Sequence, residues 1–280
     1  MIVLSYIQAR ELLAARSRGE EWTATSLDLN LTRSEAAVDE NGVALAEGVT
    51  IDWQRIVEIA GNENTCFVVG KDGIAAIQKF STLLNRFYSL KPTEKAPTLL
   101  VAGFPMHRIK GIDPSEDTRR KIAALSPVYG KVLDTTTGLG YTAIVASKTA
   151  SRVTTIEIDP TVLEIARQNP WSRQLFETQK IEQRIGSSFE IVATLPAGGF
   201  DGIFHDPPTV SLAGELYSGE FYRQLYRVLA RRGKLFHYVG NLDSKAGHTV
   251  ARGAIRRLQE AGFVRVTRHD EAFGLTAQKG

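Results

Sequence analysis

Cysteine is almost absent: Cys66 is the single thiol in 280 residues. That excludes an internal disulfide and a thiolate metal cluster, and it suits a reducing, cytoplasmic setting. Cys66 lies in the apolar run Cys66-Phe67-Val68-Val69 and reads as a small core residue. No apolar stretch approaches the roughly 20 residues that cross a bilayer. The first residues carry Arg10 and Glu11 rather than a basic leader, so neither a membrane span nor a signal peptide is expected. An excess of one charge is lacking too. The 34 basic and 31 acidic residues leave +3, too little to mark a nucleic-acid binder and no bar to one. Without thiolates or suitably spaced histidines, no metal is expected. Internal repeats and low-complexity segments are also missing.

What is there is enough for a core. Hydrophobic residues make up 43% of the chain, which supports one large domain or two modest ones. Residues 1–18 have helical spacing at Leu4, Ile7, Leu12 and Leu13, and Gly19 is a natural stop. Residues 26–31 alternate with period two, as a strand does. Asn41-Gly42 and Gly70-Lys71-Asp72-Gly73 read as hairpin turns. The expectation is a small N-terminal α+β domain over 1–108, with a substrate-recognition role, and a second domain over 109–280.

From 113 the pattern is regular. Asp113-Pro114-Ser115-Glu116 opens a helix with a cap, a proline and a capping-box glutamate. Strands are expected at 131–134, 152–157, 181–185, 200–205, 234–239, 263–268 and 272–278. Helices are expected at 140–150, 160–169, 187–194, 218–231 and 247–261, with Gly233 and Gly262 just past two helix ends. Such alternation means a parallel sheet covered on both faces. The last two strands are too close for a crossover, so they pair antiparallel or separate.

Three acidic residues stand at strand ends. Asp134 precedes Gly138-x-Gly140, Glu157 ends the second strand, and Asp206-Pro207-Pro208 follows the fourth. Glycines let backbone approach a ligand, and a carboxylate ending the second strand can accept ribose hydroxyl protons. Gly138-Leu139-Gly140-Tyr141-Thr142-Ala143 also fits the dinucleotide fingerprint. Asp134 would repel a pyrophosphate there, whereas it suits an ammonium group.

These residues resemble class I S-adenosylmethionine-dependent methyltransferases over about 113–280. Asp134-x-x-x-Gly138-x-Gly140 is similar to their first motif, Glu157-Ile158-Asp159 to their second, and the run from Phe200 to Pro208 to their fourth. With Pro105-Met106-His107-Arg108-Ile109-Lys110, the chain resembles predicted archaeal-type methyltransferases without an assigned substrate. The resemblance implies an α/β, Rossmann-like, seven-stranded catalytic domain. It implies S-adenosyl-L-methionine held by Asp134, Thr135, Thr136, Gly138, Gly140, Glu157, Ile158, Ser187 and Ser188. Thr136 departs from the pattern by replacing a glycine, and Gly186-Ser187-Ser188 lacks the usual aspartate for the adenine amino group.

The candidate catalytic residues are Asp206, His205 and Tyr217. Nucleobase amino-methyltransferases carry an aromatic after Asp-Pro-Pro, whereas this chain has Thr209. Leu216 to Tyr222 is similar to the segment after the catalytic aspartate of spermidine-synthase-like aminopropyltransferases, which makes Asp206 the base for an attacking amine, with Tyr217 nearby. Alternatively, Asp206 only caps a turn. His205 and His237 either meet in the cleft, one as a base, or are buried and satisfied by backbone carbonyls. Arg227, Arg231, Arg252 and Arg256, with Arg119, Arg120 and Lys121, form either a patch for RNA or a solvated face. The expected activity is methyl transfer to a nitrogen or oxygen of a small molecule or RNA, and a homo-oligomer is compatible with it. The alternatives are aminopropyl transfer from decarboxylated cofactor and a non-catalytic cofactor-binding module.

Overall fold

The computed structural model describes residues 1–280, the side chain of Glu47 excepted. The chain divides into two compact units, Met1–Ser115 with Thr161–Arg173, and Glu116–Pro160 with Gln174–Gly280. The segment after the second strand of the large sheet therefore groups with the N-terminal unit, where Trp171 donates its indole N–H to the Leu29 carbonyl at 2.9 Å.

The first unit holds three antiparallel sheets. The helix expected at 1–18 is corrected at its start. Ile2–Leu4 is a strand paired with Phe67–Gly70, and the helix is Tyr6–Ser17. Ser5 makes the break, because its side chain and that of Gln8 form a reciprocal capping box. The strand expected over 26–31 is absent. Leu29 and Asn30 take positive φ, and Ser26 and Asp28 turn the chain with side-chain hydrogen bonds. The hairpin of Phe67–Gly70 with Gly73–Ala76 forms as expected. Cys66 is fully buried beside it, and burial pushes its thiol pKa upward.

The second unit is a seven-stranded sheet. Spatially, Ile181–Ile185, Arg152–Glu157, Lys131–Asp134, Phe200–His205 and Leu229–Tyr238 run parallel, followed by Gly274–Lys279 and Phe263–His269. Gly274–Lys279 is antiparallel to both its neighbours. A connection of only Asp270 to Phe273 allows nothing else, and Phe273 turns it at φ 51°. The helix expected at 218–231 ends early, at Val228, and Leu229 already pairs with Phe200. Gly233 is thus inside a bulged strand rather than past a helix, whereas Gly262 does follow the helix Lys245–Glu260.

The core of this unit is built from the strands' inward positions and one face of each covering helix. Phe221, Leu225 and Val228 lie one turn apart on Gly219–Val228 and are fully buried with Leu133, Ile203 and Leu235. The strand order reverses between Lys131–Asp134 and Phe200–His205. Outside the carboxyl ends of such a pair no crossover covers the sheet, which is where open α/β folds hold their ligands.

Candidate functional site

Lys131–Asp134 delivers Asp134 to that edge almost entirely buried, at 1% exposure. Thr155 of the next strand donates its hydroxyl to Asp134 Oδ2 at 2.8 Å, and Thr137 is bonded to Thr155 at 2.7 Å. Oδ1 is enclosed without a hydrogen-bond partner. Burial lifts the carboxyl pKa to about 7, the Thr155 hydroxyl easing the shift. A buried acceptor atom left unmatched costs free energy in the empty protein, so it marks a place for a donor.

The turn that follows is made by Gly138 at φ 52° and Gly140 at φ 79°. A side chain on Gly140 would meet Leu175 Cδ2 at 2.6 Å, while the space beside Gly138 is open. Gly138 donates its N–H to Glu157 Oε2 at 2.9 Å, and Asp159 donates to Oε1 at 3.1 Å. Those bonds fix the carboxylate ending the second strand, and burial still raises its pKa to about 7. Ile158 and Ile185, on adjacent strand ends, leave large apolar side chains 42% and 59% exposed. Ser187 is half-buried, whereas Ser188 is buried and its hydroxyl is taken by the Thr135 carbonyl. Thr135 also bonds His205 Nδ1 at 2.8 Å, and Thr136 donates to the Asp206 carbonyl at 2.7 Å. The two threonines thus tie the turn to the Asp-Pro-Pro segment.

Asp206 is half-buried just past the end of the fourth strand, which pairs directly with the strand that ends in Asp134. Lys121 donates to its Oδ2 at 2.6 Å and forms an ion pair with Asp117 Oδ2 at 2.8 Å. The Lys121 side chain is only 4% exposed, and its ammonium stands 4.7 Å over the Tyr238 ring. Burial raises the Asp206 pKa, and Lys121 opposes the rise. Lys121 is therefore no part of a solvated basic face, as the sequence allowed. Arg119 and Arg120 stay at the surface, both paired with Glu116. The ion-paired triad was not expected from sequence. Asp117, Thr118, Lys121 and Leu125 occupy the one buried stripe of the helix Pro114–Leu125, where apolar residues belong.

Of the two readings of His205, the geometry matches the buried ring satisfied by a backbone carbonyl. Its ring is fully buried, Nε2 donates to the Leu216 carbonyl at 2.9 Å, and Nδ1 accepts from Thr135. Burial lowers its pKa to about 3, so it stays neutral and offers no free nitrogen. The His237 ring lies tilted beside it, with centroids 4.4 Å apart, and is bonded to Tyr222 at 2.8 Å. Tyr217 is buried and donates its hydroxyl to the Pro208 carbonyl at 3.0 Å, which pins the Asp-Pro-Pro loop. Among the described residues, no group of acidic, histidine or cysteine side chains has metal-binding spacing, and no helix is long and apolar enough to cross a membrane.

No family model matches the chain. An uncharacterized protein of Methanocaldococcus jannaschii is 39% identical over 287 residues, covering all of this chain and 97% of that one. A polyamine aminopropyltransferase 2 of Streptomyces coelicolor is 31% identical over 114 residues, 39% of this chain and 21% of that protein. In fold, the chain is similar to a spermidine synthase crystallised with the transition-state analogue AdoDATO, at TM-score 0.60 and 20% identity over 72% of this chain and 73% of that one. The Thermotoga maritima spermidine synthase follows at TM-score 0.57 and 21% identity, covering 72% and 71%. These likenesses match a Rossmann-like methyltransferase and spermidine synthase fold.

Proposed function

Because this chain belongs to the same family as the uncharacterized protein of Methanocaldococcus jannaschii, we propose its activity from the site itself: alkyl transfer from a sulfonium nucleoside to an amine nitrogen. The donor that suits the site best is decarboxylated S-adenosylmethionine, and the group transferred is aminopropyl. The observation that carries this is charge. Asp134, Glu157 and Asp206 stand at one sheet edge with Asp117 behind them, and Lys121 is already bound to two of these carboxylates. A ligand with a sulfonium and an ammonium but no carboxylate balances that surplus. The local likeness to an aminopropyltransferase supports the same donor.

Asp134 Oδ1 receives the ammonium, Glu157 the ribose hydroxyls, and the open side of Gly138 admits the ligand close to the backbone. Ile158 and Ile185 offer apolar surface to the base, with the Ser187 hydroxyl nearby. The bound sulfonium supplies an electrophilic carbon and a neutral thioether as leaving group. Asp206 accepts the proton of the attacking amine, and Lys121 keeps Asp206 ionised against the pull of burial. Tyr217 positions the loop rather than the proton.

Methyl transfer from intact S-adenosylmethionine is the second reading. Asp134 and the glycine turn favour it equally, because both donors carry the ammonium. A module that merely bound the nucleoside would need no ion-paired carboxylate beside it. Calorimetry with each donor, followed by product analysis with a diamine acceptor, separates the readings. Tighter binding of intact S-adenosylmethionine and methylated product would end the aminopropyl assignment. Asp206→Asn should retain donor affinity and lose about 10²–10⁴-fold in turnover. Equal loss of donor binding would remove Asp206 from the proton-accepting role.

A further inference from the structure

Basic residues are spread unevenly along the chain. Residues 221–268 hold eleven Lys or Arg and two Asp or Glu, a net +9, whereas the rest hold 23 and 29, a net −6. Part of this charge is used internally. Arg227 donates to the carbonyls of Val192, Ala193 and Leu195, while Arg256 and Arg268 pair with Glu260 and Asp270.

Four cations converge instead at the amino-terminal edge of the seven-stranded sheet. Arg232, Val264, Arg265, Gln278, Lys279 and Gly280 line a cleft of about 360 Å³. Arg232 and Lys234 also line a neighbouring cleft of about 100 Å³ with Tyr129 and Asp201. None of the four forms an ion pair among the described residues. Arg265 donates to the Gln278 side chain at 3.1 Å, and Lys279 to the Leu229 carbonyl at 2.7 Å. Asp201, the acidic side chain in the lining, accepts the Lys131 N–H at 2.8 Å.

The backbone carrying two of them is unusual. Arg232 has φ 63° and lies where the register between the fourth and fifth strands breaks. Arg265 has φ 51° and lies where the register between the last two strands breaks. Side chains other than glycine, asparagine and aspartate rarely take that conformation, and bulges re-aim the residues they contain. Two separate bulges thus each present an arginine to one cleft, and among the described residues neither arginine forms an ion pair. Strain of this kind persists where it serves a site.

We propose that this edge binds the phosphate backbone of single-stranded nucleic acid, with Tyr129 stacking on a base. Guanidinium groups match phosphate oxygens two at a time, and an exposed ring beside them gives an unpaired base a platform. Tyr129 is 61% exposed. The surface is remote from the candidate site. Lys234 pairs with Gly202, four residues before Asp206 on the neighbouring strand, which is about 13 Å.

The test is fluorescence anisotropy of labelled single-stranded RNA of about 20 nucleotides, titrated at salt between about 50 and 200 mM. Affinity should fall steeply with salt. The double variant Arg232→Glu/Arg265→Glu should weaken binding about tenfold or more and reduce the logarithmic salt slope by about 1.4. Arg232→Gln/Arg265→Gln, a milder pair, should lie between it and the native chain, with melting temperature unchanged. Binding of single-stranded DNA of equal length also supports backbone recognition. Failure to bind either strand at low salt, affinity unchanged in both variants, or equal competition by polyglutamate would overturn the proposal.

Discussion

Lys121 is the residue on which the candidate site turns. It lies almost out of reach of water between two aspartates, and it comes from a helix outside the sheet. Replacing it by methionine leaves Asp117 and Asp206 facing each other without a cation. Loss of one partner from a buried pair costs about 3–5 kcal/mol. We therefore expect Lys121→Met to unfold at lower denaturant than the native chain. Any folded fraction should show the acid limb of its rate profile moved to higher pH, because removing the cation raises the Asp206 pKa further. An unmoved acid limb would separate Lys121 from the chemistry. The three acidic residues at strand ends were legible in the sequence because their places follow from strand periodicity. Lys121 was not, because helical spacing alone cannot say which face is inside when that face carries an aspartate and a lysine. His205 left two readings open in the sequence, a base in the cleft or a buried ring bonded to a backbone carbonyl. Its position is at the strand end, but its ring turns under the sheet edge to the Leu216 carbonyl.

Among the elements, the glycine turn is the most demanding. Gly140 needs a left-handed backbone and leaves no room for a β-carbon against Leu175. Gly140→Ala should cost about 1–3 kcal/mol and weaken donor binding, as measured by thermal melting and calorimetry. Retention of both would mean that the turn can re-form without its glycine. Most strands and helices of the second unit could be read from hydrophobic spacing and caps. The early end of the helix at Val228 and the bulge that follows could not. They depend on pairing with Phe200–His205, a contact between residues distant in sequence. The opening strand Ile2–Leu4 escaped notice likewise, since its partner is Phe67–Gly70.

For the molecule as a whole, pH dependence follows from Asp134 and Glu157, both raised by burial to about 7. A carboxyl raised on folding holds its proton longer folded than unfolded. It therefore withdraws stability as pH climbs from the ordinary carboxylate range to about 7, with no further change above. The empty protein should melt at higher temperature at pH 5.5 than at pH 8, by this contribution, and Asp134→Asn should narrow that gap while abolishing donor affinity. A cationic ligand reverses the balance. Its binding should release a fraction of a proton near pH 7 and tighten as pH rises, seen as a dependence of the calorimetric heat on the buffer's ionisation enthalpy. Heats identical in every buffer would place the ligand elsewhere. Cys66 contributes nothing to these equilibria. Enclosed and held as the neutral thiol, it gives electrophiles and oxidants no purchase. A second cysteine substituted at an exposed loop would therefore be a unique anchor for a spectroscopic label, and no native sulfur would have to be deleted first.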